Sequence, residues 1–81
     1  MYFVYVIRST RREWYYHGLS RNVLVRISQH NEGKVRSTRL HRPFELVYIE
    51  GPLPLHEARE REKYLKTAAG RRFMKKTLKL R

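Results

Sequence analysis

Residues 2–7 read YFVYVI, and this short run of aromatic and β-branched side chains decides the fold. Side chains of this kind favour strands, so the run predicts a first β-strand. Both alternating faces of the run are apolar, which predicts a central strand covered on both sides of its sheet. The polar segment 9–13 then predicts a turn, and the sequence WYYHG at 14–18 predicts a second strand.

The predicted hairpin brings two tyrosines to one face of the sheet. Folding it symmetrically about Thr10 and Arg11 places Tyr5 opposite Tyr16, although Thr-Arg is a poor two-residue turn. The chain contains six tyrosines, so an ordinary structural role as aromatic sheet residues stays open for both.

A helix and a third strand follow the hairpin. Asn22 is an N-cap type, and the apolar spacing after it predicts a first helix that ends near Asn31, with Gly33 as its stop. A basic loop over 34–43 then leads to a third strand at Phe44–Ile49, where apolar and other side chains alternate.

Two further helices complete the predicted order. The segment 51–54 holds one glycine and two prolines and breaks the chain, and a second helix follows at His56–Thr67. Gly70 separates it from a last basic helix, Arg71–Leu80. The order β-β-α-β-α-α predicts an α/β chain of the α+β kind, with helices packed on a small three-stranded, mainly antiparallel sheet. At 81 residues the chain is expected to form one domain, 1–81.

Composition excludes several classes of site. All seven acidic residues are glutamate, which excludes Asp pairs and an EF-hand loop. The absence of cysteine excludes disulfides, thiolate nucleophiles and Cys-ligated zinc. No apolar run approaches the ~20 residues of a membrane span and no signal peptide is evident, so we expect a cytoplasmic protein.

The charge predicts an anionic polymer as partner. Nineteen Lys and Arg residues oppose the seven acids, for a net charge of +12. Ten of these bases lie in two blocks, and blocks of this kind contact nucleic-acid phosphates. A solvated surface and a membrane-surface role for the C-terminal segment stay open as alternatives. The blocks comprise Lys34, Arg36, Arg39 and Arg42, followed by Arg71, Arg72, Lys75, Lys76, Lys79 and Arg81.

One acidic residue is out of place in the second helix. Glu62 follows Ala58 by four residues and precedes Leu65 by three, so it lies on the apolar stripe of the helix. An inward carboxylate costs free energy unless a cation or a donor meets it. Glu62 is therefore either a snorkelling or Arg-paired residue or a ligand of a hard cation such as Mg²⁺.

Arg26 and His30 are four residues apart and share one face of the first helix. Each also has an ordinary interpretation, Arg26 as a solvated residue and His30 as a partner of the helix dipole. The other histidines show no zinc-ligand spacing, and no Ser-type triad or Gly-rich phosphate loop is present.

Taken in order, these segments resemble the GIY-YIG nuclease superfamily, and within it the small single-domain UPF0213 group. Phe3-Val4-Tyr5 and Tyr16-His17-Gly18 resemble the two halves of the motif that names the superfamily. The segment 26–33 (RISQHNEG) resembles its arginine-bearing helix, and 57–66 (EAREREKYLK) resembles its glutamate helix. The stretch from Ser37 to Tyr48 is typical of the small group, so the likeness covers nearly the whole chain.

The resemblance implies a three-stranded antiparallel sheet flanked by helices and cleavage of a phosphodiester with one divalent metal, Mg²⁺ or Mn²⁺. Glu62 would hold the metal and Arg26 would stabilise the pentacovalent phosphate. Tyr5 and Tyr16 would line the site, one of them activating or orienting water. His30 would help in positioning or proton transfer, with Asn31 as a less certain neighbour.

Two positions depart from the superfamily pattern. The first motif half reads Phe3-Val4-Tyr5 instead of Gly-Ile-Tyr, and His17 stands where an aliphatic residue is usual. Because His17 faces away from Tyr16, it is a buried, hydrogen-bonded histidine if that face is core, and a possible nucleic-acid contact if that face is open.

The resulting hypothesis is a metal-dependent endonuclease acting on DNA, with largely sequence-independent binding by the two basic blocks. Exposed aromatics such as Trp14 or Tyr15 would favour single-stranded or branched substrates by stacking, unless they pack in the core. The alternatives are a non-catalytic module that binds DNA or RNA, and a structural or partner-binding protein. No obligate protein partner is evident.

Overall fold

The computed structural model describes residues 1–78, and its elements follow the predicted order. The three strands form an antiparallel sheet of order β2-β1-β3, so the first strand is central, as predicted. The predicted end of the last helix at Leu80, with Lys79 and Arg81, lies outside the described residues. The elements are β1 (Tyr2–Ser9), β2 (Tyr15–Ser20), α1 (Val23–Asn31), a 3₁₀ turn (Arg39–His41), β3 (Phe44–Leu53), α2 (Leu55–Leu65) and α3 (Ala68–Leu78).

The central strand carries two cores, one on each face of the sheet. Val4 and Val6 are fully buried against α2 and α3, where they meet Ala58, Leu65 and Met74. The alternate side chains of the strand point the other way and pack under α1, in a cluster of Tyr5, Ile7, Val23 and Phe44. This two-sided burial is what the uniformly apolar run YFVYVI predicts.

The register of the β1–β2 hairpin differs from the predicted one by two residues. Tyr5 pairs with Gly18, and Tyr16 lies opposite Ile7. The turn is longer than two residues because the Ser9 N–H bonds the Trp14 carbonyl at 2.9 Å. A shift of two preserves side-chain parity, so both tyrosines still share one face of the sheet.

The third strand runs four residues beyond its predicted end at Ile49. Gly51 and Pro52 lie inside β3, because the strand bulges against β1 where the pairing slips between Tyr2 and Val4. Gly51 has φ of +136°, a conformation that side chains disfavour, and thereby accommodates the irregularity.

Gly70 does not separate the last two helices, as predicted, but lies buried inside α3. A Cβ at this position would collide with the Tyr64 carbonyl and lie 2.5 Å from Leu65 Cα. The break falls earlier, at Thr67, whose hydroxyl accepts the Gly70 N–H at 3.1 Å and caps α3. Gly70 is therefore required for close approach of the two helices.

Two polar contacts fix the ends of the elements. Arg61 of α2 donates two hydrogen bonds to the Glu50 carboxylate of β3, at 2.7 and 3.0 Å. Asn31 at the end of α1 clasps the start of β3: its Oδ1 accepts the Phe44 N–H at 2.6 Å and its Nδ2 donates to the Phe44 carbonyl at 3.3 Å. Within residues 1–78, no helix has the length and apolarity needed to cross a bilayer.

Candidate active site

The site forms on the α1 face of the sheet, around the ring of Tyr5. This side chain is 1% exposed and crosses β2 at Gly18. A Cβ at Gly18 would lie 2.5 Å from Tyr5 Cζ, so only glycine leaves room for the phenol. The structure thus gives a steric reason for glycine at position 18, the last residue of the motif half Tyr16-His17-Gly18.

His30 of α1 holds the phenol from above the sheet. Its Nε2 lies 2.9 Å from the Tyr5 hydroxyl, and its Nδ1 lies 2.8 Å from the hydroxyl of Thr38. Both His30 and Thr38 are 0% exposed, so His30 is an interior residue and not a partner of the helix dipole. The rings of Tyr5 and Tyr16 approach its imidazole with centroids at 6.0 and 5.0 Å.

The hydrogen-bond network assigns the direction of this chain. The Thr38 hydroxyl donates to the Val35 carbonyl at 3.3 Å, so it accepts from His30 Nδ1. A neutral imidazole with a proton on Nδ1 has an acceptor at Nε2. The Tyr5 hydroxyl therefore donates to Nε2, and Thr38 selects the tautomer.

Burial controls the protonation of both rings. Desolvation, reinforced by the positive charge of Arg26, lowers the pKa of His30 from 6.5 to about 4. Desolvation, with a smaller contribution from Tyr16, raises the pKa of Tyr5 to about 12. Arg26 acts on Tyr5 in the opposite direction, whereas the charge of Glu62 adds to the increase. At neutral pH the pair consists of an intact phenol and a neutral imidazole.

Arg26 lies at the margin of this cluster, half-buried on the same face of α1 as His30. It donates to Gln29 Oε1 at 3.0 Å, which orients the guanidinium. Tyr16 is half-buried as well, with its ring centroid 6.4 Å from that of Tyr5. Arg26 and Tyr16 therefore lie between the buried Tyr5–His30 pair and the solvent.

Glu62 lies on α2, which packs on the face of the sheet opposite Tyr5. Its side chain is 23% exposed, at the edge of the stripe formed by the fully buried Ala58 and Leu65. It is close enough for its charge to act on Tyr5, and its ion-pair partner within residues 1–78 is Lys66, at a long 3.9 Å. Tyr5, Tyr16, Arg26 and His30 therefore lie together on the α1 face, whereas Glu62 comes from a helix that packs on the other face of the sheet.

The donor set around Glu62 fits one kind of metal site only. Within residues 1–78 no group of three or more His, Cys, Asp or Glu side chains is arranged to ligate a metal ion. A site made wholly of protein ligands is therefore absent from this region. One accessible carboxylate without a short ion pair fits a hard cation that keeps most of its water and takes the rest of its ligands from a phosphate.

The two basic blocks lie on opposite faces of the sheet. The first follows α1 and is fixed to that side by Thr38 and by His41, which stacks on Trp14 at 3.8 Å. Within it, Lys34 pairs with Glu32 at 2.9 Å. The second block lies on α3, over the other face, with all four of its described members exposed: Arg71, Arg72, Lys75 and Lys76.

For Trp14, Tyr15 and His17 the sequence left open whether the side chain packs in the fold or contacts nucleic acid. Trp14 stacks on His41 and Tyr15 packs against the α2–α3 core, so both are packing residues. His17 faces away from Tyr16, as predicted, and is half-buried in the wall of an open groove. Desolvation, then Lys66 and Arg71, lower the pKa of His17.

Thr38 and Gln29 belong to the candidate site, although no sequence pattern assigned either of them a role. Thr38 sits in a polar, basic loop, where no periodicity predicts burial. Gln29 precedes His30 and differs little from any exposed helical glutamine. The only available signal was their membership of segments that resemble a nuclease family.

Comparisons with known proteins agree with the geometry. The family model described as the GIY-YIG catalytic domain matches residues 1–77. A UPF0213 protein of Staphylococcus epidermidis is 37% identical over 67 residues, which cover 82% of this chain and 80% of the relative. The UPF0213 protein YazA of Bacillus subtilis is 33% identical over 66 residues, covering 80% of this chain and 66% of the relative. No solved structure gives a significant match. The chain therefore belongs to the GIY-YIG nuclease superfamily, among the UPF0213 proteins.

Proposed function

We propose that the protein is a divalent-metal-dependent endonuclease that hydrolyses phosphodiester bonds of DNA. The observation that supports this most is the buried Tyr5–His30 pair with the half-buried Arg26 and Tyr16 beside it, and the charge of Glu62 on α2 also acts on Tyr5. The guanidinium of Arg26 can stabilise the negative charge that develops on the phosphate in phosphoryl transfer, and the carboxylate of Glu62 can bind a cation that does the same.

Arg26 is the group that stabilises the transition state. Its guanidinium presents a planar set of donors that can meet two equatorial phosphate oxygens at once. Gln29 holds it in place, so less conformational freedom is lost when phosphate binds.

The two tyrosines have different roles in this proposal. Tyr5 is fully buried, its pKa is raised to about 12, and its proton is engaged by His30, so it positions the site. Tyr16 is accessible and lies next to the same imidazole. Its hydroxyl oxygen accepts a hydrogen bond from the attacking water and orients it. As the water oxygen bonds to phosphorus and a P–O ester bond breaks, the water gives its proton to solvent and the leaving oxygen takes a proton from solvent.

Glu62 would hold the metal, Mg²⁺ or Mn²⁺, through its accessible carboxylate. When bound, such an ion polarises the phosphate and lowers the pKa of nearby water. Lys66, 3.9 Å from Glu62, makes no short hydrogen bond to the carboxylate and so leaves its oxygens available to a metal.

The exposed Lys and Arg side chains of both blocks would bind the DNA backbone. This binding would be mostly independent of DNA sequence, because contacts to phosphates do not distinguish one nucleobase from another. Arg36 and Arg39 flank the buried Thr38 in sequence and are exposed beside the site.

The experiment incubates purified protein with labelled single- and double-stranded DNA in Mg²⁺, in Mn²⁺ and in chelator. We expect metal-dependent nicking that Arg26→Ala and Glu62→Gln each reduce at least about a hundredfold. Glu60→Gln is the matched control, because Glu60 is exposed on the same helix and should leave nicking unchanged.

Equal nicking by the Glu62→Gln protein would overturn the assignment of the site. Unchanged DNA binding without cutting on all substrates would instead support the non-catalytic nucleic-acid-binding module.

A further inference from the structure

A groove of about 560 Å³ lies between the edge strand β2 and helix α3, on the face of the sheet opposite the tyrosine site. Its floor is apolar, formed by Val6, Leu65, Met74 and Leu78. Three cationic side chains and His17 border it, against one acid, Glu13. The cations are Lys66, Arg71 and Lys75.

This combination selects a ligand with a flat apolar body and a negative charge at its edge. The volume is within the range of about 300–1,000 Å³ typical of small-molecule sites. Three cations around an apolar floor leave a positive rim that only an anion neutralises. A nucleotide has both parts, a base that favours an apolar surface and phosphates that favour the rim.

Polar groups in the walls of the groove lack protein partners. The Tyr15 hydroxyl is buried and makes no hydrogen bond within residues 1–78, although Tyr15 lines the groove. This hydroxyl lies beneath the surface of the groove, so the polar contact that the wall offers a ligand is His17. His17, with its lowered pKa, is neutral at physiological pH and can both donate to and accept from a base edge.

The groove is continuous with the candidate active site around the edge of the sheet. Tyr16 borders the groove as well as the Tyr5–His30 cluster. Lys66 lines the groove and is the ion-pair partner of Glu62. A strand with one phosphate at Arg26 and Glu62 can therefore pass over β2 and enter the groove.

We propose that this groove is a pocket for one unpaired deoxynucleotide next to the phosphate that is cut. This rests on the proposed nuclease function and names its substrate class, DNA that is single-stranded or frayed at the site. The base lies on the apolar floor beside His17, and the flanking phosphates contact Arg71 and Lys75. A paired base cannot enter, because it stays stacked in the duplex.

The test measures binding of fluorescently labelled single- and double-stranded DNA in chelator, where no cutting occurs. Arg71→Ala/Lys75→Ala removes two charges from the rim. Arg72→Ala/Lys76→Ala removes the same charge from exposed positions one residue further along the helix, which do not line the groove. All four positions are exposed, so both variants should fold, which circular dichroism checks.

We expect the rim variant to lose about tenfold or more in affinity for single-stranded DNA, and the control variant about threefold or less. For duplex DNA we expect the two variants to lose the same amount of binding affinity. Trp14, the only tryptophan, borders the groove, so oligothymidine should quench its fluorescence in the wild type and not in the rim variant.

Equal losses of single-stranded affinity in the two variants, or the same losses for duplex as for single strands, would overturn the pocket. Neither outcome bears on the nuclease, which is judged by the nicking of Arg26→Ala and Glu62→Gln. Conversely, a protein that never cuts but shows the rim-specific loss and the quenching retains the nucleotide pocket.

Discussion

His30 is the residue on which the arrangement of the site depends most directly. It is the only side chain that bonds both the central strand, at Tyr5, and the basic loop, at Thr38, within residues 1–78. Such a histidine can fill this position only as a neutral ring, because both of its nitrogens are committed to hydroxyl groups away from solvent.

This requirement predicts an acid-sensitive fold. The folded pKa of His30, about 4, lies below its ordinary 6.5, so the unfolded chain binds the proton more readily. Its contribution is complete above the ordinary value and is lost as the pH falls towards the folded value. Between about pH 7 and about pH 5 we expect the free energy of unfolding to fall by about 2 kcal/mol from His30 alone. Urea titrations at several pH values measure this.

The matched variants are His30→Gln, which should lose most of this dependence, and His56→Gln at an exposed position, which should keep it. His17 contributes in the same direction, since its pKa is also lowered, so a smaller slope should remain in His30→Gln. An unchanged slope in His30→Gln would contradict the buried neutral ring.

At this scale local sequence spacing gives the positions of the candidate residues on their helices, but not their burial or hydrogen bonds. Arg26 and His30 were placed on one helix face by their spacing, and Glu62 by its position in an apolar stripe. The burial of Thr38 and the hydrogen bond between Tyr5 and His30, which are 25 residues apart, depend on contacts between distant segments that no local pattern encodes.

Among the elements, the corner between α2 and α3 determines where the groove and the Glu62 helix lie. Thr67 caps α3 only two residues after α2 ends, so the two helices turn within a very short segment. Gly70 permits this turn because its missing side chain leaves space for the backbone of Tyr64 and Leu65.

The Gly70→Ala change should therefore destabilise the protein by about 1–3 kcal/mol, because the new methyl group meets backbone that cannot move aside. Helix propensity alone would give the opposite sign, a gain of about 1 kcal/mol. Chemical denaturation gives the value. Ala69→Gly is the control at the exposed neighbouring position and should cost no more than about 1 kcal/mol. A stabilised Gly70→Ala protein would show that the helices do not meet as described.

The order and type of the elements followed from local sequence, whereas their boundaries and register did not. Glycine at positions 51 and 70 reads as a break in sequence, yet both lie within elements because neighbouring backbone needs the space. The hairpin register depended on the longer turn closed by the Ser9–Trp14 bond. The assignment of side chains to the two faces of the sheet was nevertheless correct, because burial of the apolar faces of the strand determines it.

At the scale of the molecule, the described members of the two basic blocks lie on opposite faces of the sheet. A nucleic acid bound at the tyrosine site therefore meets the loop after α1 directly, and meets α3 only if a strand crosses the edge at β2. Non-specific affinity should come first from the loop, since counterion release scales with the phosphates that are neutralised.

Replacement of two exposed loop residues, Arg36→Ala/Arg39→Ala, should weaken DNA binding across sequences and reduce the slope of log affinity against log salt by roughly 1–2. Arg59→Ala/Lys63→Ala, an equal charge change on the exposed side of α2, is the control and should alter the slope less. Titrations of anisotropy at several salt concentrations in chelator give both slopes. Identical slopes for the two variants would exclude the loop as the principal contact.

The Asn31 clasp has a consequence for engineering. Because one side chain pairs with both polar groups of the Phe44 backbone, the entry to β3 is fixed independently of what lies between. Residues of the intervening segment 32–43 could then be exchanged, provided that Thr38, which sets the His30 tautomer, and His41, which stacks on Trp14, are retained. If the proposed nuclease function holds, variants of this segment could change DNA binding while the sheet and α1 stay constant.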